Sequence, residues 1–143
     1  MRMSRYVMAL GLALAASAAG AQEGEFKLVV NGSNSVSSLT QDEAAQYFLR
    51  KKIAWPGGQA VLPVDQNDES SARRAFSKAV LKKDLAAVKS YWQTQIFSGR
   101  GVPPPEKPSD AAVLAFVEAK PGAIGYVSAG APIGRGVKEV KIN

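Results

Sequence analysis

The stretch from Ala60 to Phe76, AVLPVDQNDESSARRAF, constrains this chain more than any other. Ala60 to Val64 is a short apolar run of the kind that forms a buried strand. Asp65 to Glu69 reads as a polar turn, and Ser70 opens a helix running to about Leu81, with Ala75, Phe76, Ala79 and Val80 as its apolar stripe. Strand, polar loop and capped helix in that order make an α/β ligand site, because the first N–H groups of the helix point unpaired above the strand end.

The remaining elements follow from local patterns. Phe26–Asn31 (FKLVVN) reads as a strand with a Ser- and Asn-rich turn behind it. Thr40-x-x-Glu43 is a capping box and starts a helix with Ala44, Tyr47, Phe48 and Leu49 on its buried side. Asp84 caps a further helix through Phe97, with Val88, Tyr91, Trp92 and Ile96 recurring near period 3.6. Ser98 to Pro108 is a Gly/Pro loop over one edge of the fold, stiffened by Pro103-Pro104-Pro105. Ser109 or Asp110 caps the last helix, whose apolar face is Val113, Leu114, Phe116 and Val117, and Pro121-Gly122 ends it. Strands are expected at Ala123–Val127 and Val137–Ile142. The order β-α-β-α-α-α-β-β predicts an α/β sandwich with parallel central strands.

Residues 1–21 read as a secretory signal peptide: Arg2 and Arg5, then an apolar run from Val7 to Ala18, then Ala19-Gly20-Ala21 as the cleavage site. Cleavage after Ala21 leaves 22–143 as a single domain, exported to the periplasm, with no stable membrane anchor. Losing Arg2 and Arg5 lowers Lys+Arg from 18 to 16 against 12 acids, so the mature charge is +4. Lys51-Lys52, Arg73-Arg74 and Lys82-Lys83 are scattered basic pairs rather than a stripe, so a solvated face is expected and no nucleic acid. The sequence has no cysteine and no histidine. That removes a disulfide framework, a thiol-linked lipid anchor, the usual zinc ligands and every serine–histidine or cysteine–histidine mechanism. No enzyme activity and no cofactor is expected. Asp65-x-Asn67-x-Glu69 mimics the first half of a calcium loop, but Ser70 stands where its glycine belongs and Phe76 where its final glutamate belongs, so no metal site is expected.

Several stretches together resemble the phosphate-binding proteins of the phosphate ABC transporter. Ser38-Leu39-Thr40 with a helix ending Tyr47-Phe48-Leu49-Arg50-Lys51-Lys52, and then Trp55, resembles their L-x-x-I-Y-L-G-K-x-x-x-W stretch. Pro121-Gly122-Ala123-Ile124-Gly125-Tyr126-Val127 is similar to their P-G-A-I-G-Y-V segment residue for residue. Asp65 to Ala72 stands where they carry a phosphate-gripping R-A-D-G-S-G-T loop, with Ser70 on its serine, Ser71 for its glycine, Ala72 for its threonine and Asp65-Gln66 where an arginine is expected. The resemblance implies a three-layer α/β sandwich like one lobe of a type II periplasmic binding protein. The chain is long enough for one lobe of the two that close on the ligand.

The resemblance also implies a function: a small oxyanion, phosphate by analogy, bound in connection with ABC-type transport. The candidate ligand-binding residues are Ser70, Ser71, Arg73, Asp65, Gln66, Ser33 and Arg100. Ser70, Ser71 and Ser33 offer hydroxyl donors, and Arg73 and Arg100 offer cations. Two local alternatives stand beside this. Ser70 can be a plain N-cap, and Arg73 can pair with Glu69 at i,i+4 or with Asp68. A second function is open as well: an interaction module without a ligand, docking on a porin, a transporter component, a sensor or a second copy of itself.

Overall fold

The computed structural model describes residues 25–143; the expected signal peptide lies outside them. In chain order the elements are β1 (Phe26–Asn31), β2 (Ser38–Leu39), α1 (Gln41–Phe48), β3 (Leu62–Pro63), β4 (Asp65–Gln66), α2 (Ser71–Phe76), α3 (Leu85–Phe97), β5 (Glu106–Lys107), α4 (Asp110–Ala119), β6 (Ala123–Ser128) and β7 (Val137–Ile142). Between α2 and α3, Ser77–Leu81 continues the helix as a single π-helical turn.

The sheet forms around β1. Its run FKLVVN buries both faces: Leu28 and Val30 enter one apolar cluster, Val29 the other. β6 divides in the same way, with Ile124 and Tyr126 on the first face and Ala123 and Val127 on the second. Helices α1, α2 and α3 cover the first face through Tyr47, Phe48, Phe76, Val88 and Trp92. Helix α4 covers the second through Val113 and Val117. The result is the three-layer sandwich that the resemblance implied. Gly125 permits the close seat of α4, because a Cβ there would lie 2.8 Å from methyls of both Val113 and Val64.

The strand directions differ from expectation. The sheet order is β2-β7-β1-β6-β3, and β1 runs antiparallel to both neighbours, pairing Leu28 with Tyr126 on one side and with Val140 on the other. Parallel pairs occur only at the flanks, β2 with β7 and β3 with β6. Alternation of strands and helices along the chain says nothing about which strands become neighbours. Here the first long strand pairs with the last two.

Other local readings are corrected in detail. Asp65-Gln66 is not part of a turn: both residues are buried and form β4, parallel to β5 in a separate two-stranded ribbon. The loop 98–108 therefore contains a strand, Glu106–Lys107, and docks against the interior. On α3 only Val88 and Trp92 are buried, and Ile96 and Phe97 point outward, Phe97 with 90% of its surface exposed. The caps stand as read: Thr40 with Glu43, then Ser70, Asp84 and Ser109. Among the described residues no helix is long and apolar enough to cross a membrane.

Candidate functional site

Ser70 joins two jobs. Its Oγ accepts the Arg73 N–H at 3.1 Å, capping α2, and donates to Gln66 Oε1 at 2.8 Å. Gln66 is thereby fixed, and it reaches further. Its Nε2 donates to the Tyr126 carbonyl and to Asp110 Oδ1, both at 2.9 Å, and its N–H donates to the Tyr126 hydroxyl at 3.1 Å. Asp110 Oδ1 also accepts the Ser128 N–H at 3.0 Å. One buried amide thus ties the start of α2, the end of β6 and the start of α4 together. Ser109 caps α4 by accepting the Ala112 N–H at 3.1 Å.

These contacts leave an open cleft of about 310 Å³ between the two helix starts. That is at the small end of the roughly 300–1,000 Å³ typical of ligand pockets. Gln66 floors it; Ser70 and Ser71 line one side, Ser109, Asp110 and Ser128 the other, with Asn67 and Glu69 at the rim. In each helix the N–H groups of the first two residues, Ser71 and Ala72 in α2 and Asp110 and Ala111 in α4, have no carbonyl within the helix to bond. The cleft carries the positive ends of two helix dipoles. No lysine or arginine lines it among the described residues.

The candidate residues separate accordingly. Gln66, Ser70 and Ser71 meet in the cleft. Arg73 turns inward, 4% exposed, and its Nη1 donates to the Gln66 carbonyl at 2.8 Å, to Asp68 at 3.0 Å and to Glu106. The Arg73 Nε lies 3.8 Å from Asp65. Its partners are Asp68, Glu106 and Asp65, not the Glu69 expected at i,i+4. Asp65 lies buried beneath the cleft, accepting from the Tyr126 hydroxyl. Ser33 donates to Asn31 Oδ1 at 2.7 Å, and Asn31 in turn caps the C-terminal end of α4 through the Val117 and Glu118 carbonyls. That puts Ser33 one helix length, about 15 Å, from the Ser109 end. Arg100 is exposed beyond the end of α3 and does not line the cleft.

Electrostatics follows burial. Desolvation pushes the Asp65 carboxyl above its ordinary value, against the pull of Arg73 and the Tyr126 hydroxyl. Burial and the Asp65 charge raise the Tyr126 hydroxyl far above its usual range. Burial also works against the Asp110 anion, but hydrogen bonds from Gln66 and Ser128 outweigh it and hold this carboxyl below its ordinary value. Asp110 therefore stabilises the fold above the unfolded carboxylate value, near pH 4, and that contribution is lost as pH falls through the lower folded value. Asp110→Asn should flatten the acid limb of the stability–pH curve below about pH 4, read from urea midpoints.

No protein-family model matches the chain, and no curated protein matches it in sequence. Solved structures do match it. A phosphate ABC transporter substrate-binding protein from Clostridium perfringens, solved with bound phosphate, aligns at 22% identity and TM-score 0.64 over 84% of this chain and 46% of its own. An ABC-type phosphate transport receptor from Vibrio cholerae aligns at 19% and 0.62, over 84% and 48%, and PstS from Borrelia burgdorferi at 12% and 0.66, over 83% and 47%. The fold is that of one lobe of a phosphate-binding protein. The chain spans about half the length of each of these structures.

Sequence reasoning treated Ser109-Asp110 only as a helix cap and did not place it in the site. A signal was present. Ser-Asp at a helix start, following Lys107-Pro108, is the same kind of serine-capped terminus as Ser70-Ser71.

Proposed function

We propose that the chain is a binding module for a small oxyanion, phosphate before others, held between the starts of α2 and α4. The observation that carries this reading is the convergence of two serine-capped helix starts, Ser70 and Ser109, on one cleft. The N–H groups of Ser71 and Asp110, residues that line the cleft and lack intrahelical partners, supply charge-assisted donors. The acids select among anions. Glu69 and Asp110 line the cleft and repel a fully ionised ligand. An oxyanion that carries its own proton can donate to the Asp110 carboxylate; sulfate cannot. The fold shared with phosphate receptors supports the same choice, and with the expected leader it supports a periplasmic role beside an ABC-type transporter rather than an enzyme's. One observation favours the alternative, an interaction module on another envelope protein: Arg73 is spent on three acids, so among the described residues no cation lines the cleft.

Calorimetric titration of phosphate into the purified chain, with sulfate as control, tests this. A cleft this open should bind phosphate at roughly millimolar Kd, because tight sites bury most of the ligand. Ser71→Pro is the sharp variant. Proline is favoured at the first helical position and Ser70 already has the extended backbone that a following proline requires, so the helix survives while one N–H donor is lost. Loss of one charge-assisted bond should weaken phosphate about tenfold or more. No phosphate heat, or sulfate binding as well as phosphate, would transfer the case to the interaction module.

A further inference from the structure

The α2 element and the turn that follows it carry a second surface. A groove of about 710 Å³ is lined by Arg74, Lys78, Lys82, Lys83, Asp84 and Leu85. From the residues and charges there we propose that it docks an acidic segment of a partner protein, one whose carboxylates flank an apolar side chain. It begins at Arg74, whose Nη1 also donates to the Asp68 and Glu69 carbonyls at 3.3 Å beside the cleft rim, while Lys78, Lys82 and Lys83 extend further along the chain and do not line the cleft.

Charge is the first support. None of the four cations forms an ion pair among the described residues; the pairs present involve Arg73 and Lys89. The one acid in the groove, Asp84, spends its Oδ1 on capping Ala87 at 2.8 Å. Cations do suit a helix C-terminus, but the dipole supplies only about half a charge there, far short of four.

The backbone is the second. Lys82 sits at φ 57°, left-handed, with the Lys83 N–H closing back on the Ser77 carbonyl at 3.1 Å. Helices that end in this motif usually put glycine at the left-handed position, since a side chain there is strained. Here a lysine takes it, directly after a π-helical turn, a feature that recurs at functional sites. Its Nζ is held against α1 by Gln41 Oε1 at 2.9 Å.

The shape and chemistry of the groove choose the occupant. Half-buried Leu85 and the methylene stems of the lysines give it a carbon floor under a cationic rim. A phosphate polymer has nothing apolar to place on that floor, and a flat bilayer does not fill a concave wall. Three of the four cations are lysines, point charges suited to single carboxylates rather than to bidentate phosphate.

Fluorescence anisotropy of a labelled Glu-Glu-Leu-Glu-Glu-Leu hexapeptide with the purified chain at low salt tests the proposal. Binding should weaken at least about tenfold in a combined Lys78→Ala, Lys82→Ala and Lys83→Ala variant. An all-glutamate hexapeptide should bind several-fold less well, and tripolyphosphate should displace the peptide poorly. Lys82→Gly moves two readouts in opposite directions: the melting temperature rises by about 2–4 °C as strain is released, while peptide affinity falls. Undiminished binding by the triple variant would overturn the proposal. So would all-glutamate peptide or tripolyphosphate competing as well as the leucine-bearing probe, which would mean a diffuse charge field instead of a docking groove.

Discussion

Replacing Arg73 by alanine is expected to cost about 3–5 kcal/mol of stability, read as a lower urea midpoint, because it strands charge in the interior. Arg73 is 4% exposed and is the cation that Asp65, Asp68 and Glu106 share. Of these, Asp65 is the buried one, and burial already lifts its carboxyl above the ordinary value. Without the guanidinium the lift increases. A carboxyl whose folded value lies above its unfolded one favours folding when protonated. The variant should therefore lose stability as pH rises from about 4 towards that raised value, and recover it on acidification. Asp65→Asn in the same background removes the stranded charge while keeping an oxygen for the Tyr126 hydroxyl, and should restore about 1–3 kcal/mol. Arg73→Lys should not substitute for the arginine, since one ammonium cannot reproduce contacts made by both Nη1 and Nε. If Arg73→Ala cost less than about 1 kcal/mol, the side chain would be solvated and able to face the cleft, and the cation-free site would have to be redrawn.

What the sequence made legible was local. FKLVVN is a strand by composition alone, and the four caps, Thr40, Ser70, Asp84 and Ser109, were readable because each makes its hydrogen bond three residues away. What it hid depends on pairings between distant residues. The direction of Arg73 is decided in part by Glu106, 33 positions on, and β1 meets Tyr126 and Val140 only when the chain has closed. Half of the cleft arrives the same way: Ser109-Asp110 joins Ser70 through Gln66, across 44 residues. The basic groove is a different case. Arg74, Lys78 and Lys82 stand four apart, a helical stripe in plain view, but dividing the cations into adjacent pairs conceals it. The strained Lys82 had no sequence signal, since nothing local says that a helix will end on a left-handed lysine.

Phe76→Ala is the second large effect, about 3–5 kcal/mol, and it links the core to the cleft. The Phe76 ring is fully buried and stacks on Tyr126 with centroids 4.1 Å apart and planes 11° from parallel; Phe48 packs at 4.5 Å and Phe26 meets it edge-on at 5.5 Å. Against a total stability of about 5–15 kcal/mol, losing that ring leaves a marginal fold. The consequence beyond stability runs through Tyr126. Its hydroxyl donates to Asp65 and accepts from the Gln66 N–H, and Gln66 in turn holds both Ser70 and Asp110. A Tyr126 ring free to tilt into the cavity slackens the amide that sets the distance between the two helix starts. Phosphate affinity should therefore fall together with stability. Val88→Ala provides the contrast: Val88 is equally buried on α3 but has no part in the Tyr126–Gln66 chain, so it should lower the urea midpoint and leave phosphate affinity in place. Equal losses of affinity in the two variants, measured where both remain folded, would mean that the cleft responds to stability in general and not to the stacked pair beneath it.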